Sequence, residues 1–543
     1  MVFARRSTTL LAAIIASCAM VLSLTACTSD NKTVVDGQTT VTSNSAGGVA
    51  VFTPSDGITL NQQTPLNKWA KLVPDLTKAL VDAGFKKGDI DHTTSDSLAK
   101  QSRAIQDFVV DHLSNNTTDD SGIAIAPDNM TLLVAPVVEA DASTRQYGDY
   151  VSQNLSTNDA TDGEATSDGE SSEDDSSKDD SSNTESDSTA SDEQAQAVDR
   201  LVSSLKLAKE SGMHVVLLGN SIEGYKPDAF VKFSDAQTIG KLQAEKMVSK
   251  LKLDKASKDN PKYIEVLLPY TAMDEKGNAN DSTFAQEAFR GIWQVLGSYY
   301  QKGVVESPSG TLDGKSTEND WQAVAYDAAK EGSTAKVLDK RLAKTDGQST
   351  LTRIDGIITM NDYIASEVVK ELDDLGYTGS AADINPQITI SGIVGNITGK
   401  KDLSRDAVPD PIKSPENDNA NDSSSSDDDA DEDTSASDKD RDSQWPLVTG
   451  YGAYVSNIPS IVNGKQWMTG MEDRQTIATD IAQACAKLNK DEALNSMPSI
   501  RNSEVGGVKK IPTISEPLLA VSASNLKSAL IDPGYISLAD AGL

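Results

Sequence analysis

The chain has 543 residues, 37% of them hydrophobic, with 49 basic against 82 acidic side chains and a formal net charge of -33. Length and apolar content fit two or three ordinary domains, and the lack of a basic patch excludes phosphate-backbone recognition, so no nucleic-acid partner is expected. Three cysteines, Cys18, Cys27 and Cys485, are too few for a disulfide-stapled secreted module and point to a large domain that relies on its core.

The first predicted element is a leader. Arg5 and Arg6 precede an apolar run from Leu10 to Leu24, too short for a comfortable membrane span. It ends in Leu24-Thr25-Ala26-Cys27, small residues leading into a cysteine as in the bacterial lipoprotein signal. Residues 1–27 are therefore read as signal peptide and lipobox, with Cys27 as the lipid-attachment residue. The mature chain is expected on the outer face of the cytoplasmic membrane, held there by its anchor. Thr28 to Gly48 is rich in Ser, Thr, Asn, Asp and Gly with no apolar period, and residues 28–47 read as a flexible tether.

From Gly48 the pattern changes. Val49 to Phe52 reads as a strand, Trp69 to Gly84 and Ser97 to His112 as helices, and Thr131 to Pro136 as a strand. The alternation continues with helix Val198 to Ser211, strand His214 to Leu218, helix Ala236 to Leu253, strand Tyr263 to Leu268 and helix Ala285 to Tyr300. Strand Ile354 to Met360, helix Tyr363 to Leu375 and strand Leu447 to Thr449 complete it. Strands alternating with long helices predict an α/β fold of parallel sheets built from right-handed crossovers.

Two acidic stretches interrupt this rhythm. Asn158 to Glu193 holds fourteen acids and one lysine, and Glu416 to Ser443 twelve acids, one lysine and one arginine, together about -23 of the net charge. Both are too polar to bury a core, and residues 156–195 and 401–443 are expected to be disordered surface insertions. Their loose repeats do not hold the spacing of a calcium-binding loop, so no metal site is expected.

The inventory gives an enzyme no positive support. The three histidines, His92, His112 and His214, sit in ordinary places, and no HExxH, GxSxG, P-loop or GxGxxG is present. No cofactor is expected.

A series of segments in chain order does carry a resemblance. Leu66-Asn67-Lys68-Trp69 precedes an amphipathic helix, and Ala208-Lys209-Glu210-Ser211-Gly212-Met213-His214-Val215-Val216 leads from helix into strand. Phe233-Ser234-Asp235 is followed by Gly240, Met360-Asn361-Asp362 by Ala365, and Thr449-Gly450 by Gly464-Lys465-Gln466-Trp467-Met468-Thr469 and Asp473. Glu516-Pro517, Val521, Asn525 and Gly534-Tyr535 close the series. In these motifs the chain resembles the solute-binding proteins of sugar ABC importers, of the ribose/xylose-type periplasmic-binding-protein family.

The resemblance implies a type I fold of two α/β lobes, each a parallel sheet flanked by helices, with a ligand cleft between them. The N-terminal lobe is expected over 48–224 and 471–492, the C-terminal lobe over 225–470 and 493–543. It further implies a monomer that binds a carbohydrate by hinge closure and delivers it to a membrane permease and its ATPase. The ligand-binding residues implied are Trp69, Lys68, Asp235, Asn220, Asn361 and Asp362, with Trp321 and Phe284 as aromatic faces. Several polar groups usual in such a cleft are replaced: Gly219-Asn220 stands for an Asp-Arg pair, Ala236 and Phe284 for asparagines, and Gly452 for an aspartate. These losses leave open an oligosaccharide or unusual sugar, another small solute, or a surface lipoprotein that acts as a sensor or adhesin with a degenerate cleft.

Overall fold

The computed structural model describes residues 33–35, 38–40, 46–55, 65–115, 125–138, 145–150, 153–156, 185–273, 280–343, 351–382 and 445–543. The signal peptide, Cys27, the second acidic insertion and most of the first lie outside the described residues. The chain divides into Met1–Ser45 and Ala46–Leu543. In the first unit β1 (Thr33–Val35) and β2 (Gln38–Thr40) pair antiparallel, where only a flexible tether was expected. Thr33-Val34-Val35 and Gln38-Thr39-Thr40, five of six residues β-branched, flank Asp36-Gly37 in the sequence, a favoured hairpin signal that the polar composition of the stretch obscures.

The second unit opens on β3 (Gly48–Pro54), an almost wholly buried strand, followed by α1 (Trp69–Asp82), which buries Trp69, Leu72, Leu76 and Leu80 along one face. β4 (Ile90–Ser95) pairs with β3 and exposes Asp91 to Thr94, so its sequence lacks the apolar pattern by which the other strands are read. α2 (Leu98–Asn115), β5 (Met130–Val134), the short β6 (Asn154–Leu155), α3 (Glu185–Glu210), β7 (His214–Leu218), the short β8 (Ser221–Ile222) and β9 (Ala229–Lys232) follow. α3 begins inside the stretch assigned to the first acidic insertion, because Glu185 to Gln194 extends the same helix that Val198 and Leu201 anchor to the core.

The chain then enters a second sheet through α4 (Ala236–Leu251), β10 (Lys262–Val266), β11 (Leu268–Pro269), α5 (Thr283–Gln301), β12 (Val305–Glu306) and α6 (Trp321–Val324). β13 (Ala325–Tyr326), α7 (Ser333–Arg341), β14 (Gly356–Ile358), α8 (Asp362–Leu375), β15 (Leu447–Tyr451), α9 (Ile458–Val462) and β16 (Met468–Met471) complete that passage. α10 (Arg474–Leu488) returns to the first lobe and leads into the hairpin β17 (Ile500–Val505) and β18 (Val508–Ser515), and β19 (Leu519–Ser522) crosses back.

The first sheet has the order β17-β18-β9-β7-β5-β3-β4 and the second β12-β10-β14-β15-β16-β19. Both are parallel except for the β17/β18 hairpin and the β16/β19 pair. Each sheet is covered on both faces, because alternate residues of a strand point to opposite sides. In the first lobe Val49, Val51 and Val216 pack under α1 and α10, while Ala50, Phe52 and Val215 pack under α2 and α3. In the second, Ile264, Val266 and Ile358 meet α4 and α5, and Ile357 and Val448 meet α7 and α8.

Two expected lobe boundaries move. Ala229–Lys232 pairs with β7 in the first sheet, so the crossing falls after Lys232 and not at 224/225. The hairpin of β17 and β18, expected in the C-terminal lobe as part of 493–543, joins β9 in the first sheet, where Ile511 and Ile514 are fully buried. Three segments thus cross between the lobes: Phe233 to Asp235, Glu472 to Asp473, and Glu516 to Leu518. The first two are tied together. Ser234 donates its amide to the buried Glu472 carboxylate, and the Ser234 and Tyr451 hydroxyls pair beside it. Burial pushes the Glu472 carboxyl up to about 7.

Candidate functional site between the lobes

In open parallel sheets, ligands bind beyond the carboxyl ends of the strands, and both lobes present those ends to each other. From the first lobe come Lys68 and Trp69, at the start of α1 after β3, and a segment from Gln146 to Tyr150 that follows β5. From the second come Phe284, at the start of α5 after β10 and β11, Asn361 after β14, and Tyr454 after β15.

Four of the eight expected ligand residues meet around Gln146–Tyr150. Lys68 Nζ pairs with Asp149 Oδ1 at 2.7 Å, and the Trp69 amide donates to Asp149 Oδ2 at 3.0 Å. The Trp69 ring packs at 5.1 Å from Tyr150 and 5.7 Å from Phe233, both edge-on, while Tyr150 and Phe233 stack at 4.7 Å. Phe284 lies 4.6 Å from the Tyr147 ring. Asn361 caps α8 by accepting from the Ile364 amide, and its Nδ2 donates to Gln146 Oε1 at 3.0 Å across the lobes.

The other four hold the fold. Asp362 is fully buried, and its two oxygens accept from the Tyr454 amide, Gln466 Nε2 and Thr469 Oγ1 at 2.7 to 2.9 Å. Burial pushes its carboxyl up to about 6, while those three donors pull the other way. It reaches the cleft through Tyr454, whose hydroxyl donates to the Gln146 carbonyl at 2.6 Å. Asp235 is the N-cap of α4, accepting from the Thr238 amide, and it pairs with Lys232. Burial opposes its ionised form, but Lys232 and Thr238 hold its carboxyl below the ordinary value. Asn220 accepts from the Gln153 amide and donates to the Pro136 carbonyl, fastening the loop after β7 to its neighbours. Trp321 packs edge-on at 5.1 Å against Tyr270 within the second lobe's core cluster.

Sequence reasoning missed Gln146, Tyr147, Asp149, Tyr150 and Tyr454. The cluster of aromatic and amide residues in Gln146-Tyr147-Gly148-Asp149-Tyr150 was the available signal, but it sits beside the acidic insertion in a stretch without periodicity. A surface hollow of about 410 Å³ lies elsewhere, between α1 and α10, and none of the eight expected residues lines it. Among the described residues, no group of three or more His, Cys, Asp or Glu is placed to hold a metal, and no helix is long and apolar enough to cross a membrane.

Two parallel-sheet lobes joined by three crossings, with opposed strand ends, define the type I periplasmic-binding-protein architecture. No family model and no curated protein matches the chain. Among solved structures it is similar to an ABC transporter solute-binding protein from Clostridium phytofermentans with bound β-D-glucose, at 17% identity, covering 91% of this chain and 99% of that one with a TM-score of 0.44. A carbohydrate transporter solute-binding protein from Chloroflexus aurantiacus in complex with D-glucose is 18% identical, with 92% and 98% covered and a TM-score of 0.43. A periplasmic ribose ABC transporter protein from Conexibacter woesei is 13% identical, with 90% and 96% covered and a TM-score of 0.42.

Proposed function

We propose that this chain is an extracytoplasmic solute receptor of the ABC-importer type, anchored by a lipid on Cys27, that takes a carbohydrate between its lobes and presents it to a permease and its ATPase. The observation that carries this reading is the convergence of Lys68 and Trp69 from one lobe with Phe284 and Asn361 from the other on a single place between opposed strand ends. The chemistry suits a sugar. Phe284 supplies a ring for an apolar sugar face, and Asn361 and Lys68 supply donors for hydroxyls, whose loss on closure costs about 1–3 kcal/mol when unmatched. Closure of the lobes about the three crossings is the mechanism of uptake.

A thermal-shift screen with D-glucose, D-ribose, maltose and adenosine tests the reading. A solute at ~100 times its dissociation constant adds about 2.7 kcal/mol of stability, and Phe284→Ala abolishes the shift. No shift with any of these, in the wild type or in a Gln146→Ala, Tyr147→Ala double variant, removes the carbohydrate reading. A second reading, a surface lipoprotein that senses or adheres without feeding an importer, is favoured by the engagement of Asn361 and Phe284 with the chain's own Gln146 and Tyr147. Solute uptake by intact cells that depends on this protein separates the two.

A further inference from the structure

Gln146–Tyr150 belongs by sequence to the first lobe and is fixed there at one end. Asp149 is held by Lys68 and by the Trp69 amide, its own amide donates to the Asn67 carbonyl at 2.8 Å, and Tyr150 is buried against Trp69 and Phe233. The other end has crossed to the second lobe. Tyr147 is 1% exposed and belongs to that lobe's core cluster, with Phe284 at 4.6 Å and Tyr451 at 6.3 Å. Both oxygens of Gln146 are taken by the same lobe, the side-chain one by Asn361 and the main-chain one by Tyr454. Gly148 makes the turn between the two ends, with a φ of +95° and its Cβ position only 2.6 Å from the Asn67 carbonyl oxygen.

A ring against Phe284 with two hydrogen-bond acceptors beside it is what a hydroxylated ring would offer that lobe, and a 4.6 Å ring separation leaves no layer for a second ring between them. We propose that Gln146–Tyr150 is an internal occupant of the interlobe site: it straps the lobes together without solute, and a solute enters only by displacing Gln146 and Tyr147 from Asn361, Tyr454 and Phe284. This rests on the solute-receptor reading and adds its regulation. The strap lowers the binding-competent fraction, so the apparent affinity falls by that fraction. The competing solute is a hydroxylated ring with one apolar face.

The test uses the full-length protein in detergent, with hydrogen exchange followed by mass spectrometry and sugar binding by titration. Without sugar, the amides of Gln146 to Tyr150 exchange slowly in the wild type. In the Gln146→Ala, Tyr147→Ala double variant those of residues 146–148 exchange on the order of 100-fold faster, as the loss of a buried aromatic side chain implies. Among D-glucose, D-ribose and maltose, any that binds does so about tenfold tighter or more in the double variant. Gly148→Ala is the second variant: it pushes the strap off Asn67 while keeping both side chains, and far-UV circular dichroism confirms that each variant is folded. Strap amides that exchange in the wild type at the rate of unstructured peptide overturn the proposal. So does a folded double variant whose exchange and sugar affinity equal those of the wild type. Slow wild-type exchange that the variants release, with no sugar binding to any of the proteins, upholds the strap and removes the carbohydrate reading instead.

Discussion

Asn361 and Gln146 join the two lobes amide to amide, with Asn361 Nδ2 donating to Gln146 Oε1 at 3.0 Å, while the other end of the Asn361 side chain caps helix α8. One residue thus serves the local structure and the interlobe contact through different atoms. Asn361→Ala removes both, and Gln146→Ala only the bridge. The bridge is worth about 1 kcal/mol and the cap about 1 kcal/mol more. Urea unfolding is expected to rank the two variants in that order, and equal losses would mean that the cap contributes nothing.

Asp149 anchors the strap to the first lobe through Lys68 and the Trp69 amide, at a site where both charged side chains are less than a fifth exposed. Asp149→Ala leaves the lysine and the helix-start amide without this acceptor and is expected to cost about 1–3 kcal/mol. Asp149→Asn, which keeps one acceptor, recovers part of the loss in the same denaturation measurement.

Helices α4 and α5 cross closely enough that a Cβ on Gly240 would lie 2.2 Å from the Ala288 carbonyl oxygen, and one on Gly291 2.0 Å from that of Gln237. The obstruction on each side is backbone and cannot rotate away. Gly291→Val is therefore expected to lower stability by about 2–3 kcal/mol through overpacking, seen as a lower denaturation midpoint. An unchanged midpoint would contradict this packing.

Two fully buried carboxyls carry a pH dependence. Glu472, between β16 and α10, has its folded pKa raised to about 7 from an ordinary 4.5, and Asp362 to about 6 from 3.8. A carboxyl raised on folding binds more protons folded than unfolded, so its contribution is full below the unfolded value and is lost as pH rises through the folded one. Stability is expected to fall between about pH 4 and pH 7 by up to roughly 3 kcal/mol for each group. Melting temperatures across that window check it, and Glu472→Gln, neutral at every pH, flattens its share of the slope.

Cys27→Ala is expected to release the protein from the membrane fraction into the medium. Fractionation with intact-mass measurement decides it: a lipid mass on the wild type that the variant lacks supports the anchor, and a soluble, unmodified wild type removes it.

Repetition of local patterns made most of the fold legible in advance. The unbroken apolar runs Val49 to Phe52 and Val215 to Leu218 announce strands buried on both faces, and the apolar face of Trp69, Leu72, Leu76 and Leu80 announces a helix, because a helix with one buried face must repeat every three to four residues. Where burial is one-sided or slight the signal fades, as in β4, or is hidden within polar composition, as in the β1/β2 hairpin and the start of α3. The cleft was legible only as a set of residue types. Whether an aspartate reads a ligand or caps a helix depends on the direction of its side chain, and Asp235 and Asp362 carry the same motif information under either role. Local sequence determined the alternating strands and helices of an α/β fold, while the two lobes and Lys68, Trp69, Phe284 and Asn361 near the cleft followed from motif resemblance. Tertiary structure alone decided that β17 and β18 return to the first sheet and that Tyr147 of one lobe lies in the core of the other. Both depend on contacts between residues far apart in the chain, for which local periodicity carries no information.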